Sequence, residues 1–249
     1  MIPAAIDDNR IVASGGPIRT GNVKDMTDAS TVLNVGSGAV VVTVECKDQV
    51  YTAGVADTAA VANAVLEPEQ SALVNNGETV EIRIEVKDIS GSVPEQDMEV
   101  IEKGIEEYRE EVPGLTLGKY VDLSMFVRVG TSDWNAVTAT GEPIEVVIGI
   151  PEELRAEGRT YYIIRSHEGV HTFMSDMDSE QDTITISTDM FSSYAIAYLQ
   201  LDETGMGEKC GLCHICPTFL GICYFIWLVV IIAAAFVAGI VILYRKRAE

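Results

Sequence analysis

Several short stretches of this sequence place side chains at spacings that chemistry uses. His167-Glu-Gly-Val-His171 matches H-E-x-x-H, in which two imidazoles hold zinc and the glutamate activates water. That chemistry needs a helix, because only there do residues four apart share a face. Here Thr160–Ser166 and Val170–Met174 read as strands and Glu168-Gly169 as the turn between them, so the expectation is a polar hairpin tip with two exposed histidines. Cys210-Gly-Leu-Cys213-His214, followed by Cys216, matches C-x-x-C-H haem attachment and offers four donors for a tetrahedral metal. The spacing is too crowded for two ligand loops, and a short linker supplies no apolar haem pocket. The reading therefore assigns no metal and no cofactor there. It leaves disulfide pairing among Cys210, Cys213 and Cys216 beside free or lipid-modified thiols, with Cys223 already inside an apolar run.

Asp176, Asp178, Glu180 and Asp182 alternate and could ligate Ca²⁺. An EF-hand needs Gly at the sixth position and Glu at the twelfth, where this chain has Gln181 and Ser187, so a solvated acidic turn is expected. No Ser-His-Asp set, phosphate loop or catalytic carboxylate pair is legible, and no catalytic residue is assigned.

The elements that must position these groups begin with the C-terminus. Residues 219–244, FLGICYFIWLVVIIAAAFVAGIVILY, carry no formal charge over 26 positions. As a helix at about 1.5 Å per residue this run spans roughly 39 Å, enough for a hydrocarbon core of about 30 Å. Tyr224, Trp227 and Tyr244 lie toward its ends, as interfacial aromatics do, and Arg245-Lys246-Arg247 follow at once. The positive-inside rule then puts residues 245–249 in the cytoplasm and residues 1–218 outside. Small residues from Ala233 to Gly239 would let two such helices approach closely.

Charge points the same way. The chain has 17 Lys and Arg against 38 Asp and Glu, and 14 against 37 over residues 1–244, a balance of −23. So anionic a surface repels nucleic acid and anionic lipid alike. Four of five cysteines fall between 210 and 223, so the rest of the chain does not rest on disulfides. Residues Met1–Asp8 show neither the basic nor the apolar region of a signal peptide, so an exported ectodomain is expected to draw its export signal from upstream sequence, either cleaved away or lying before an internal start.

Residues 1–35 show weak periodicity and read as an irregular tail or the remnant of a preceding module. Residues 36–76 read as a hairpin turning at Lys47-Asp48-Gln49, then two short helices split at Pro68. Glu78–Ile89 alternates strictly, with Val80, Ile82, Ile84 and Val86 on one face. Ser92-Val-Pro-Glu95 resembles a capping box, opening a helix whose Met98, Ile101, Ile105, Tyr108 and Val112 form one apolar stripe. Short strands follow at Lys119–Val129, Ile144–Ile150, Thr160–Ser166, Val170–Met174, Thr183–Ser187 and Ser193–Leu199. The fold class expected is mainly β: an antiparallel Ig-like sandwich over residues 77–200 with one inserted amphipathic helix, a Cys-rich linker over 201–218, and one transmembrane helix over 219–244.

The runs ALVNNGETVEIRIEVKDIS, LGKYVDLSMFVRVG, RTYYIIRSHEG and DTITISTDMFSSYAIAY, with CGLCHICPTFLGICYFIWL after them, resemble the terminal β-sandwich module and membrane entry of large Gram-positive cell-surface proteins. The likeness covers about residues 55–228 and implies an exported, surface-displayed protein with further modules upstream, and no reaction. Leu201-Asp-Glu-Thr-Gly205 is similar to a sortase signal but has Asp202 where that signal has the proline that shapes its extended form. The function expected is a membrane-anchored structural or adhesive module meeting an extracellular protein or glycan. The rival is a membrane-tethered redox or metal-binding protein using Cys210, Cys213, His214 and Cys216.

Overall fold

Alternation along the central strands decides the architecture, because it turns one set of side chains of the large sheet toward a second sheet and the next set away from it. The computed structural model describes residues 5–7, 10–12, 16–19, 29–200, 218–219 and 222–223. The chain divides into two units, residues 1–200 and residues 201–249. In the first, β1 (Ala5–Asp7) and β2 (Arg10–Val12) form a small hairpin. A large sheet runs β12-β11-β14-β8-β7-β5-β4, from β4 (Ala29–Val35), β5 (Gly38–Cys46), β7 (Thr79–Asp88), β8 (Thr116–Val129), β11 (Arg159–His167), β12 (Val170–Ser175) and β14 (Ser193–Gln200), with β9 (Asn135–Val137) added beside β8. A second sheet runs β13-β10-β6-β3, from β3 (Ile18–Arg19), β6 (Ala53–Val55), β10 (Ala139–Gly149) and β13 (Thr183–Met190). The protein is mainly β, with three α-helices among the described residues: α1 (Thr58–Val65), α2 (Pro68–Asn75) and α3 (Glu95–Tyr108).

The layers follow from parity. Val121, Leu123, Met125 and Val127 of β8, Ile163 of β11 and Ile196 of β14 face the second sheet, where they meet Ile144, Val146 and Ile148 of β10 and Ile184 and Ile186 of β13. The neighbours one residue on, Tyr120, Ile164, Ala195 and Ala197, face the other way and pack against Ile101 and Ile105 of α3. The large sheet thus lies between the small sheet with α1 on one side and α3 on the other. The apolar stripe of α3 is buried as its spacing predicts. Its N-cap is Pro94, without a side-chain hydrogen bond, so the capping box expected from Ser92 and Glu95 does not form.

Two pairings depart from the sequence reading. β5 and β7 are parallel, in register from Ala39↔Thr79 to Cys46↔Val86, so the arrangement is not wholly antiparallel. The crossover between them carries β6, α1 and α2, long enough to return the chain to the same end of the sheet. The segment from Lys47 to Thr52 does not close a hairpin. It carries the chain from the large sheet to the small one, because Tyr51 is buried between them, its hydroxyl donating to the Tyr120 carbonyl at 3.1 Å. Asp48 braces the passage, accepting the N–H of Val50 at 3.0 Å and of Asp88 at 2.5 Å. Within the stretch read as a tail, Ala29–Val35 is a full strand of the large sheet whose Leu33 and Val35 are buried.

In the second unit, β15 (Thr218–Phe219) pairs antiparallel with β16 (Ile222–Cys223). Phe219, Ile222 and Cys223 of this pair belong to the 219–244 run. Among the described residues no helix is long and apolar enough to cross a membrane, and the rest of the 219–244 run lies outside them.

One glycine in α3 reports how tightly this layer is set. A Cβ on Gly104 would come within 2.9 Å of His171 Cγ and 3.1 Å of its Cβ. Alanine there gains about 1 kcal/mol of helix propensity but overpacks a fixed ring at a cost of about 1–3 kcal/mol. Gly104→Ala is expected to lower stability in thermal or urea unfolding, and to raise it once His171→Ala removes the ring. A stabilised single variant would contradict this packing.

Candidate functional site

The histidine pair tests the zinc-protease spacing directly. β11 ends at His167, Glu168 and Gly169 turn with φ of 49° and 79°, and β12 starts at Val170. Two successive left-handed residues make the two-residue turn that matches strand twist. Its register pairs Ser166 with His171 and His167 with Val170. Paired residues share a face and adjacent ones do not, so His167 and His171 lie on opposite faces of the ladder and cannot converge on one ion. His171 faces α3, where its Nε2 lies 3.2 Å from the Glu107 carboxylate.

The acidic run is spent on its own loop. Asp176 Oδ1 accepts the N–H groups of Asp178 at 3.1 Å and Thr185 at 2.9 Å. Asp178 accepts the Glu180 N–H at 2.7 Å and the hydroxyls of Thr183 at 3.2 Å and Thr185 at 2.5 Å. Burial holds the Asp176 carboxyl above its ordinary range, and the backbone donors pull the other way. Asp176, Asp178 and Glu180, with Arg159 and Tyr162, line a cleft of about 370 Å³. No group of three or more His, Cys, Asp or Glu among the described residues is placed to hold a metal. Cys210, Cys213, His214 and Cys216, the Leu201–Gly205 stretch, and Arg245, Lys246 and Arg247 all lie outside the described residues.

Three side-chain constellations escaped the sequence reading. On the α3 side, Asp97 in the first turn of α3 accepts hydrogen bonds from Ser166 Oγ at 2.7 Å and Ser193 Oγ at 2.8 Å. Both serines are buried, so one carboxylate ties the helix to β11 and β14. At the edge of the sandwich, Arg165 donates to Thr188 Oγ1 and Asp189 Oδ1, each at 3.2 Å, and to Thr172 Oγ1 at 3.3 Å. Tyr194 shares a hydrogen bond with Thr188 Oγ1 at 2.8 Å, and its hydroxyl donates to the Met190 carbonyl across the β13–β14 corner. Burial drives the Tyr194 phenol upward, so it stays a neutral donor.

The third constellation lies on the outer face of β7 and β8. Arg128 forms a bidentate pair with Glu81, at 2.9 and 2.8 Å. Arg83 Nε lies 2.8 Å from Glu85, and Lys47 bridges Glu85 at 3.0 Å and Glu45 at 2.5 Å. The Arg83 Nε–H makes no aligned hydrogen bond, so that contact is Coulombic. Both guanidiniums stand over the half-buried Trp134 ring, 4.2 and 4.5 Å from its centroid, and Arg83 also lies 5.2 Å from that of Phe126. The charged side of the alternating β7 pattern was the available signal. Partners 47 residues away in sequence were not.

The two carboxylates beside α3 carry separate predictions. Asp97→Ala leaves two buried hydroxyls without their acceptor, which costs about 2–4 kcal/mol; chemical unfolding checks it, and a loss below about 0.5 kcal/mol, the scale of an ordinary surface mutation, contradicts the tie. Asp122 is different. Burial raises its carboxyl above the ordinary value, opposed by the Ser124 hydroxyl donating at 2.6 Å. A raised carboxyl means the folded state binds its proton more tightly, so this group adds stability at acid pH that is lost as pH rises through the folded value. Asp122→Asn keeps the acceptor for Ser124 and is expected to raise Tm at pH 7 and change it little at pH 3. An equal shift at both would contradict burial as the cause.

No family model, curated protein or solved structure matches the chain.

Proposed function

We propose that this chain is the membrane-anchored end of a surface-displayed protein, its β unit a structural and adhesive module that performs no reaction of its own. The observation that carries this is a junction. The strand that leaves the β unit, β14, is interior to the large sheet, paired with β11 over eight positions and with β8 over six. Only residues 201–218 separate it from the uncharged 26-residue run and Arg245-Lys246-Arg247. Tension applied through residue 200 would load two ladders together, whereas an edge strand would present only one.

The buried and half-buried polar groups support the same reading. Asp97, Arg165 through its two terminal nitrogens, Asp178 and Tyr194 hydrogen-bond within the fold and hold sheets and helix together. The Tyr194 hydroxyl bonded to the backbone four residues upstream is the tyrosine-corner device of Ig-like sandwiches, which favours that form over the segment β13–β14. The bilayer would be met through residues 219–244, and a second copy of the helix through Ala233–Gly239.

Two cysteine variants read by peptide test the topology. Ser179 is exposed, and Glu249 ends the basic tail. In intact cells a membrane-impermeant maleimide should modify Ser179→Cys, and Glu249→Cys only after permeabilisation. Labelling of Ser179→Cys that appears only after lysis overturns the surface reading.

A further inference from the structure

The large sheet is covered unevenly. α3 packs on β11, β12 and β14, while among the described residues no element lies over the outer face of β5, β7 and the distal half of β8. A bare sheet face in an acidic protein would ordinarily be a field of carboxylates. This one is balanced. Its cations Lys47, Arg83 and Arg128 are matched by Glu45, Glu81 and Glu85, in a chain whose net charge is −21. The charges also face one another at contact distance, so little field remains to attract an ion.

What the face offers is hydrogen-bonding groups at fixed positions. A carboxylate has about four acceptor sites and a guanidinium five donors, so pairs such as Glu81–Arg128 and Glu85–Arg83 keep unused capacity toward solvent. Each guanidinium is planar and held in place by its carboxylate partner and by the Trp134 ring. Holding side chains beforehand removes the ordering cost that weakens polar recognition. Half-buried Phe126 and Trp134 add flat apolar surface, part of which already carries the guanidiniums, and Ser124 and Thr43 add hydroxyls on the same face. A nucleic acid or acidic peptide finds no net positive charge here, and a basic peptide finds no net negative charge.

We infer that this face of β5, β7 and β8, centred on Arg83, Arg128 and Trp134, binds a neutral oligosaccharide. Sugar rings are the neutral ligands that combine both requirements. Their adjacent hydroxyls pair with bidentate carboxylate and guanidinium groups, and their C–H faces lie on an aromatic ring. The inference rests on the adhesive reading and names its partner class.

The test uses the full chain in amphipol, which carries no sugar headgroup, on an array of neutral glucans, galactans and chitooligosaccharides alongside sialylated and sulfated glycans. The expected result is binding to a neutral glycan that Trp134→Ala and Arg128→Met each weaken about tenfold or more, while Trp134→Phe, which keeps a stacking ring, retains most of it. Circular dichroism melts identify any variant lost to misfolding, and Trp134→Phe keeps the test open in that event. Binding confined to charged glycans or to proteins overturns this inference and leaves the adhesive reading standing. Neutral-glycan binding indifferent to all three variants overturns it as well. Absence of binding to any glycan, protein or cell surface overturns both.

Discussion

The structure depends on β14 being hydrogen-bonded on both sides and buried on both faces. Ser193–Gln200 joins β8 to β11, and without it the large sheet falls into two pieces. Its alternation serves two cores at once: Tyr194 and Ile196 go to the inner layer, Ala195 and Ala197 to the α3 layer. The alanines are small for a reason. α3 lies across them, and larger side chains would lift the helix from the sheet. At the start of the strand, Ser193 donates to Asp97 and Tyr194 reaches the Met190 carbonyl, so the strand's entry is fixed from both sides.

Polar groups in the interior are few and used economically. A buried carboxylate or guanidinium is costly unless its hydrogen bonds are made, and the protein places such groups where elements of different layers meet. Asp97 joins α3 to two strands, Arg165 joins the large sheet to the edge of the small one, and Asp178 folds back the loop before β13. On the outer face of β7 and β8 the logic changes. There the ion pairs are partly solvated and worth little for stability, and what they supply is a rigid array of donors and acceptors around an aromatic ring.

Much of this could be read from the residues, and the failures have a common cause. The strands from β7 to β14, β9 excepted, and the apolar stripe of α3 follow from apolar spacing, because period and burial are local properties. Partner choice is not local. The parallel β5–β7 pair, the passage of Tyr51 between sheets and the addition of β4 depend on which strand lies alongside, and alternation says only which side faces in. The same parity, once the turn is known, separates His167 from His171 and removes the zinc-protease reading. Contacts such as Glu81–Arg128 and Asp97–Ser193 join residues 47 and 96 positions apart, where no motif can be scanned for.

On the function proposed above, a sheet whose central strand leads within 18 residues to a span-length apolar run is held at that end, and its charge-balanced outer face is the part proposed to meet a partner. Native-state hydrogen exchange on the full chain, read residue by residue, tests the role of β14 most directly. The amides of Tyr194–Tyr198 should exchange at the slow limit set by global unfolding, together with those of β8, while the edge strand β12 exchanges earlier. Exchange of β14 at the rate of β12 would contradict the account, because the strand would then open without the sheet.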